Sequence, residues 1–249
     1  MEIEPTLAGR VAEVRQRIAD ACSRAGRETD EVLLLAVTKT ASVPQIHQAI
    51  ALGLGDLGEN RVQNLQQRLR SLAEILPAGR AADSIRWHMI GHLQRNKVGD
   101  VIPHVAMVHS VDSLRLGEEI DALAGKMQRK VPILLQVNAS EEPQKYGCPI
   151  GDALAMAEVL ACKGGLELRG LMTMAELTGD ADRVRRAFAR TREFFELLRS
   201  RLGSPVFHDL SMGMSQDYES AIAEGATIVR IGSALFGSAS PQNQALEGH

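Results

Sequence analysis

One lysine stands where it could do carbonyl chemistry. Lys39 follows the apolar run Val32-Leu33-Leu34-Leu35-Ala36-Val37, with Thr38 between. Such a run reads as a short strand buried on both faces. Alternation places Leu33, Leu35, Val37 and Lys39 on one side of it. A lysine amine forms a Schiff base with a carbonyl only when neutral. From a free pKa of about 10.4, about 0.04% of an exposed lysine is neutral at pH 7. Partial burial beside Val37 is expected to raise that fraction by disfavouring the cation. The competing reading is a lysine whose stem packs while its amine reaches water.

Two later segments could hold an anion. Ser211-Met212-Gly213-Met214-Ser215 and Arg230-Ile231-Gly232-Ser233 each combine hydroxyls, backbone N–H groups and a glycine, and a helix is expected after each. Helix N-termini favour negative charge. The alternative is two capped helices, with Ser215 and Ser233 as N-caps. Arg230 alternates with Ala226 and Ile228 and so shares their face. A buried arginine needs an acceptor, either a carboxylate or a ring nitrogen such as that of a pyridine. Its guanidinium holds its protons, so a ring nitrogen facing it would stay unprotonated and the ring would be a poor electron sink.

Gly58-Glu59-Asn60-Arg61 and Trp87-His88-Met89-Ile90-Gly91-His92-Leu93-Gln94-Arg95-Asn96-Lys97 are also dense in polar groups. His88 and His92 lie four apart, but Gly91 breaks a shared helical face, so a satisfied structural histidine is preferred to a metal ligand. No role is assigned to His92 or Lys97.

The elements that must position these groups alternate regularly. Leu7, Val11, Val14, Ile18 and Cys22 form one stripe of an opening helix that Gly26 ends. Strands are expected at Val32–Val37, Asp56–Glu59, Ile85–Ile90, Val105–Val108, Val131–Val137, Leu166–Met172, Phe207–Ser211 and Ala226–Ile231. Helical stripes fall between them: one from near Val43, Val62 to Leu76, Leu116 to Met127, about Gly151 to Lys163, Val184 to Leu202, and a short one over Ser215–Ala223. Eight strands alternating with helices predict an α/β fold, a single (β/α)8 TIM-type barrel with an extra N-terminal helix. Lys39 then tops the interior of strand one at the C-terminal mouth. The runner-up, a doubly wound open sheet, would want a glycine-rich turn where Thr38-Lys39-Thr40 stands. Residues 1–237 are read as the barrel and 238–249 as a flexible tail.

Composition fits. The chain has 249 residues, 45% of them hydrophobic, and a net charge of −3. That charge, without a basic stripe, argues against nucleic acid. Arg183, Arg185, Arg186, Arg190 and Arg192 read as a solvated helix face. Cys22, Cys148 and Cys162 have no metal or disulfide spacing. Cys22 and Cys162 are expected to pack on helical stripes, and Cys148 to lie in an exposed loop. No apolar run is long enough for a membrane span and MEIEPTLAGR is no secretory signal, so the expected location is cytoplasmic.

Together these segments resemble the pyridoxal 5'-phosphate (PLP) homeostasis protein family, the YggS/PROSC type, from about Leu7 to Gly237. The Trp87–Lys97 segment is the strongest match. Ala36-Val37-Thr38-Lys39, Gly58-Glu59-Asn60, Leu210–Ser215 and Arg230–Ser233 support it. Met89 stands where phenylalanine is common and Ser233 where threonine is common. The resemblance implies a barrel similar to the N-terminal domain of alanine racemase, with PLP as a Schiff base on Lys39. It implies phosphate contacts from Ser211, Gly232 and Ser233, Arg230 facing the pyridine nitrogen, Asn60 near the cofactor, and Met212 and Gly213 lining the phosphate side.

The function expected is binding of PLP for intracellular vitamin B6 homeostasis, buffering the cofactor or delivering it to apo PLP-dependent enzymes, without turnover. The alternative is an amino-acid racemase of alanine-racemase type. Racemisation needs proton donors on both faces of the cofactor. Lys39 could serve one face, whereas neither Tyr146 nor Tyr218 has a clear claim to the other. The dozen or so residues after Gly237 leave no room for a second domain, which favours a monomer. A third reading is an aldolase-like Schiff-base enzyme without PLP.

Overall fold

Eight parallel strands close on themselves: β1 (Leu33–Val37), β2 (Asp56–Glu59), β3 (Arg86–Met89), β4 (Met107–Val111), β5 (Val131–Asn138), β6 (Leu166–Met172), β7 (Asp209–Ser211) and β8 (Ile228–Ile231). Each pairs with its sequence neighbour, β8 pairs with β1, and the β4–β5 pairing completes the ring. The computed structural model describes residues 6–75, 85–139, 147–176 and 178–237. Leu76, Tyr146 and the tail from Ser238 lie outside the described residues.

The closed ring excludes the open doubly wound sheet. Helices cover its outside: α1 (Leu7–Arg24), α2 (Val43–Ala51), α3 (Val62–Ile75), α4 (Val98–Val101), α5 (Leu114–Lys126), α6 (Ile150–Ala161), α7 (Ala181–Leu202), α8 (Tyr218–Ala223) and α9 (Ser233–Phe236). Their starts are encoded locally. Thr6 caps α1 by accepting from the Gly9 N–H at 3.2 Å. At α2, Ser42 and Gln45 form a reciprocal capping box. Contacts worth about 1 kcal/mol each fix where the helices begin. α1 is the extra N-terminal helix, packing against α8 and α9.

Two apolar layers result. The larger lies between the strands and the helices. The smaller is the barrel interior, where Leu35, Met107, Leu134, Met172 and Ile228 meet, flanked by Leu33, Ile90 and Met174. The alternation read from β1 holds: Leu33 and Leu35 are inside, and Val37 and Lys39 reach the C-terminal mouth.

Some boundaries differ from the sequence reading. β4 extends to Val111 through the polar pair His109-Ser110, both fully buried. β7 starts at Asp209 rather than Phe207, and α8 at Tyr218, because Ser215–Asp217 form a turn. The short α4 has no counterpart in the periodicity. The cysteines also differ. Cys148 is buried because it opens a two-residue strand paired with Val137. Burial, with Asp152 and Asp112 nearby, pushes its thiol up to about 11. Cys162, just past the end of α6, is exposed. The α7 arginines form a solvated, paired face, with Arg183 bound to Glu176 and Arg185 to Glu224, each at 2.7 Å.

Candidate cofactor site

The C-terminal mouth of the barrel holds a cavity of about 760 Å³. Lys39, Asn60, Arg230, Gly232 and Ser233 all line it. Five of the eight candidate residues therefore converge from the ends of β1, β2 and β8.

Lys39 sits in the turn after β1 and is exposed, with no hydrogen bond or ion pair among the described residues. The expected burial beside Val37 does not occur. The strand ends at Val37, and the turn carries Lys39 beyond the packed interior into the open cavity. Its neighbour Thr38 points the other way and anchors the turn, donating to Glu59 Oε1 at 2.5 Å. Burial pushes the Glu59 carboxyl up, against the opposing effect of Thr38 and Arg68. Asn60 Oδ1 is buried and has no partner among the described residues. Gly91 faces Asn60 closely, and a Cβ there would lie 2.1 Å from the Asn60 carbonyl oxygen. Glycine is what lets the β2 and β3 loops meet at the cavity wall.

Arg230 is buried at 3% exposure. Its Nη1 donates to Ser211 Oγ and its Nη2 to the Thr173 carbonyl, both at 2.8 Å. Burial lowers its pKa to about 10 while Asp217 pulls the other way, so it is a cation at neutral pH.

Ser211, Met212 and Gly213 are not among the residues lining the cavity. The Ser211 hydroxyl is turned into the barrel, toward Arg230 and His109. Met212 is fully buried in the outer core. Gly213, at φ +92°, makes the turn, and its carbonyl accepts from the Arg230 N–H at 3.0 Å. Ser215 lines the cavity instead. It does not cap its own helix; its Oγ accepts from the Gly232 and Ala234 N–H groups at 3.3 Å, capping α9. The N-cap positions of α8 and α9 are Asp217 and Gly232. Gln136, Met174 and Gln216 also line the cavity and were missed. Only their placement near strand C-termini could have flagged them.

His88 is buried between Asp56 and His109, a satisfied structural histidine. His92 lies at the mouth, 3.2 Å from Asp112. No group of three His, Cys, Asp or Glu among the described residues could hold a metal ion. Tyr218 is 1% exposed, with Arg17 stacked over its ring, and packs under α1 away from the cavity.

A closed parallel barrel with a lysine at the mouth of strand one and an arginine inside strand eight places the chain in a known class. The family described as alanine racemase, N-terminal domain, matches residues 11–240. Within that class the chain belongs to the pyridoxal phosphate homeostasis protein family. The relative of that name in Pseudomonas aeruginosa is 41% identical, covering 94% of this chain and 96% of its own. The one in Escherichia coli K12 is 35% identical over 93% and 96% of the two chains. Among solved structures, PipY of Synechococcus elongatus PCC7942 with PLP bound superposes with a TM-score of 0.81 at 34% identity, covering 93% of this chain and all of that one.

Proposed function

We propose that the protein binds PLP as a Schiff base on Lys39 and serves PLP homeostasis inside the cell, buffering the cofactor or delivering it. The observation that carries this reading is that the Lys39 amine and the Arg230 guanidinium share the wall of one cavity. When bound, PLP supplies an aldehyde that condenses with an amine and releases water. The residues present fit such a group. The Lys39 amine is unpaired among the described residues and reachable, and Asn60 Oδ1 is a buried acceptor still lacking a donor. The cavity floor carries a fixed cation in Arg230.

Each residue has a part in this reading. Lys39 holds the aldehyde carbon. Arg230 faces the ring nitrogen and keeps it unprotonated, since a guanidinium gives up no proton near neutral pH. Ser233 and Gly232 would stand on the phosphate side, and the Ser211–Gly213 loop, set back from the cavity, would support it from behind. Asn60 lies beside the ring. The names of the relatives and PLP in the PipY structure support the same ligand. The racemase reading is less favoured, because the relatives at 35% and 41% identity carry the homeostasis name and Tyr218 packs away from the cavity.

Delivery implies contact with apo PLP-dependent enzymes, and we carry the monomer and the cytoplasm as parts of this proposal. Val159, Leu197 and Val206 are the large apolar side chains exposed among the described residues, a small number for an obligate interface. No helix among the described residues is long and apolar enough to cross a membrane.

Borohydride reduction of PLP-saturated protein, followed by peptide mapping, tests attachment. A pyridoxyl group on Lys39 is expected; its absence there sinks the proposal. Delivery is tested by reactivation of an apo-enzyme. Transfer no faster than free release would leave buffering alone.

A further inference from the structure

Five polar side chains on five strands touch in series through the barrel interior. Arg230 Nη1 lies 2.8 Å from Ser211 Oγ. Ser211 Oγ lies 3.0 Å from His109 Nδ1. His109 Nε2 lies 2.9 Å from His88 Nδ1. His88 Nε2 lies 3.0 Å from Asp56 Oδ1. The series starts at the cofactor cavity and ends at the opposite mouth, where Asp56 is clamped by Arg86, whose side chain is 62% exposed. Between His109 on β4 and Ser211 on β7 it crosses the barrel, because those strands are not neighbours.

The donors fix the direction of the series. A guanidinium only donates. Ser211 Oγ therefore accepts from Arg230, which leaves its own proton free to donate to His109 Nδ1. A nitrogen that accepts is bare, so neutral His109 carries its proton on Nε2 and donates to His88 Nδ1. His88 then carries its proton on Nε2 and donates to the Asp56 carboxylate. Every link is made with both imidazoles neutral. Reversing the rings would set a bare His88 Nε2 against a carboxylate, two acceptors with no proton between them. Charging His88 would repair that link, but would add a second cation to an interior that already holds Arg230. Burial, with the Arg230 cation adding to it, lowers the His109 pKa well below the usual imidazole range.

Arg230 needs this support. Among the described residues its guanidinium bonds to Ser211 Oγ and the Thr173 carbonyl, both neutral, and Asp217 acts on it only through space. A chain of hydrogen bonds ending on an anion polarises its members and makes Ser211 a stronger acceptor.

We propose that Asp56, His88, His109 and Ser211 are positioning residues, a one-way hydrogen-bond relay that holds the Arg230 guanidinium at the cofactor cavity from the far mouth of the barrel. Its effect on the cofactor rests on the PLP reading above; the relay itself rests on the hydrogen bonds.

Two experiments test it. Nitrogen NMR of histidine-labelled protein at pH 7, assigned with His88→Gln and His109→Gln, reads the ring protons directly in the unaltered chain. Both rings are expected as neutral Nε2–H tautomers. A charged His88, or His109 protonated on Nδ1, overturns the relay, whatever happens with PLP.

The second experiment uses Asp56→Asn, which alters a residue remote from the cavity. Borohydride should still fix PLP on Lys39, while the visible band of the bound cofactor shifts and affinity falls about five-fold, the size of one weakened hydrogen bond. Arg86→Gln should leave the band unchanged. A parental band and affinity in folded Asp56→Asn would overturn the relay. Failure of the parent protein to fix PLP on Lys39 would instead remove the cofactor reading, with the NMR result still deciding the relay.

Discussion

Asp56 and Arg86 sit opposite each other on β2 and β3 and bond twice, Nε to Oδ1 at 2.7 Å and Nη2 to Oδ2 at 2.5 Å. Burial alone would push the Asp56 carboxyl up. The hydrogen bonds from His88 and Arg86 outweigh it and hold the carboxyl at about 2. A depressed carboxylate stabilises the fold above its unfolded pKa, and the contribution is lost as pH falls through the folded value. Urea unfolding between pH 5 and pH 2 should therefore show a loss of about 2 kcal/mol from this one group. The Asp56→Asn protein should lack that part of the acid dependence. An equal slope in both proteins would assign the acid sensitivity elsewhere.

Lys39→Ala should separate attachment from stability. The side chain is exposed and makes no bond among the described residues. Its removal should change unfolding free energy by less than about 0.5 kcal/mol. The same variant should lose the borohydride-fixed cofactor. A large loss of stability would mean that the lysine packs in a way its exposure does not suggest.

Gly213→Ala should be costly. The backbone there is left-handed, and a Cβ would lie 2.6 Å from the Ala221 Cβ and 2.9 Å from the Tyr218 Cα. We expect a loss of about 2 kcal/mol or more in denaturant unfolding. Because the Gly213 carbonyl accepts from the Arg230 N–H, PLP affinity should drop as well. A neutral substitution would show that the loop after β7 relaxes freely.

Thiol labelling should single out one cysteine. Cys162 is exposed, while Cys22 and Cys148 are buried. Burial also raises the thiol pKa of both buried residues, most for Cys148. Iodoacetamide on the folded protein at pH 8 should modify Cys162 alone, read by peptide mass. Early labelling of Cys148 would show that its strand opens readily.

The barrel was readable because its signals are apolar and periodic. Asp56–Glu59 and Leu166–Met172 occur with the bounds that hydrophobicity suggested. β4 was misplaced because its interior position is His109, which reads as the end of an apolar run. That slip hid the relay. Asp56, His88, His109, Ser211 and Arg230 all stand on interior positions of their strands, but polar residues carry no hydrophobic period, and β4 out of register removes the central link. The cavity residues from β1, β2 and β8 were legible from their strand ends. The Ser211 hydroxyl was not, because a serine at the tip of a strand can face either the mouth or the barrel, and only the position of Arg230 decides.

Helices α1 and α9 are tied together: Arg10 Nε donates to the Leu235 carbonyl, 225 positions away. Arg17 and Arg24 also grip Glu219 on α8. During synthesis, the apolar stripe of α1 is made long before these partners. Bringing such distant segments together costs loop-closure entropy and slows folding. Until α8 and α9 leave the ribosome, α1 lacks the two helices it packs against most, so the nascent chain carries a partly uncovered apolar stripe. This is the stage at which a chaperone would find most to bind.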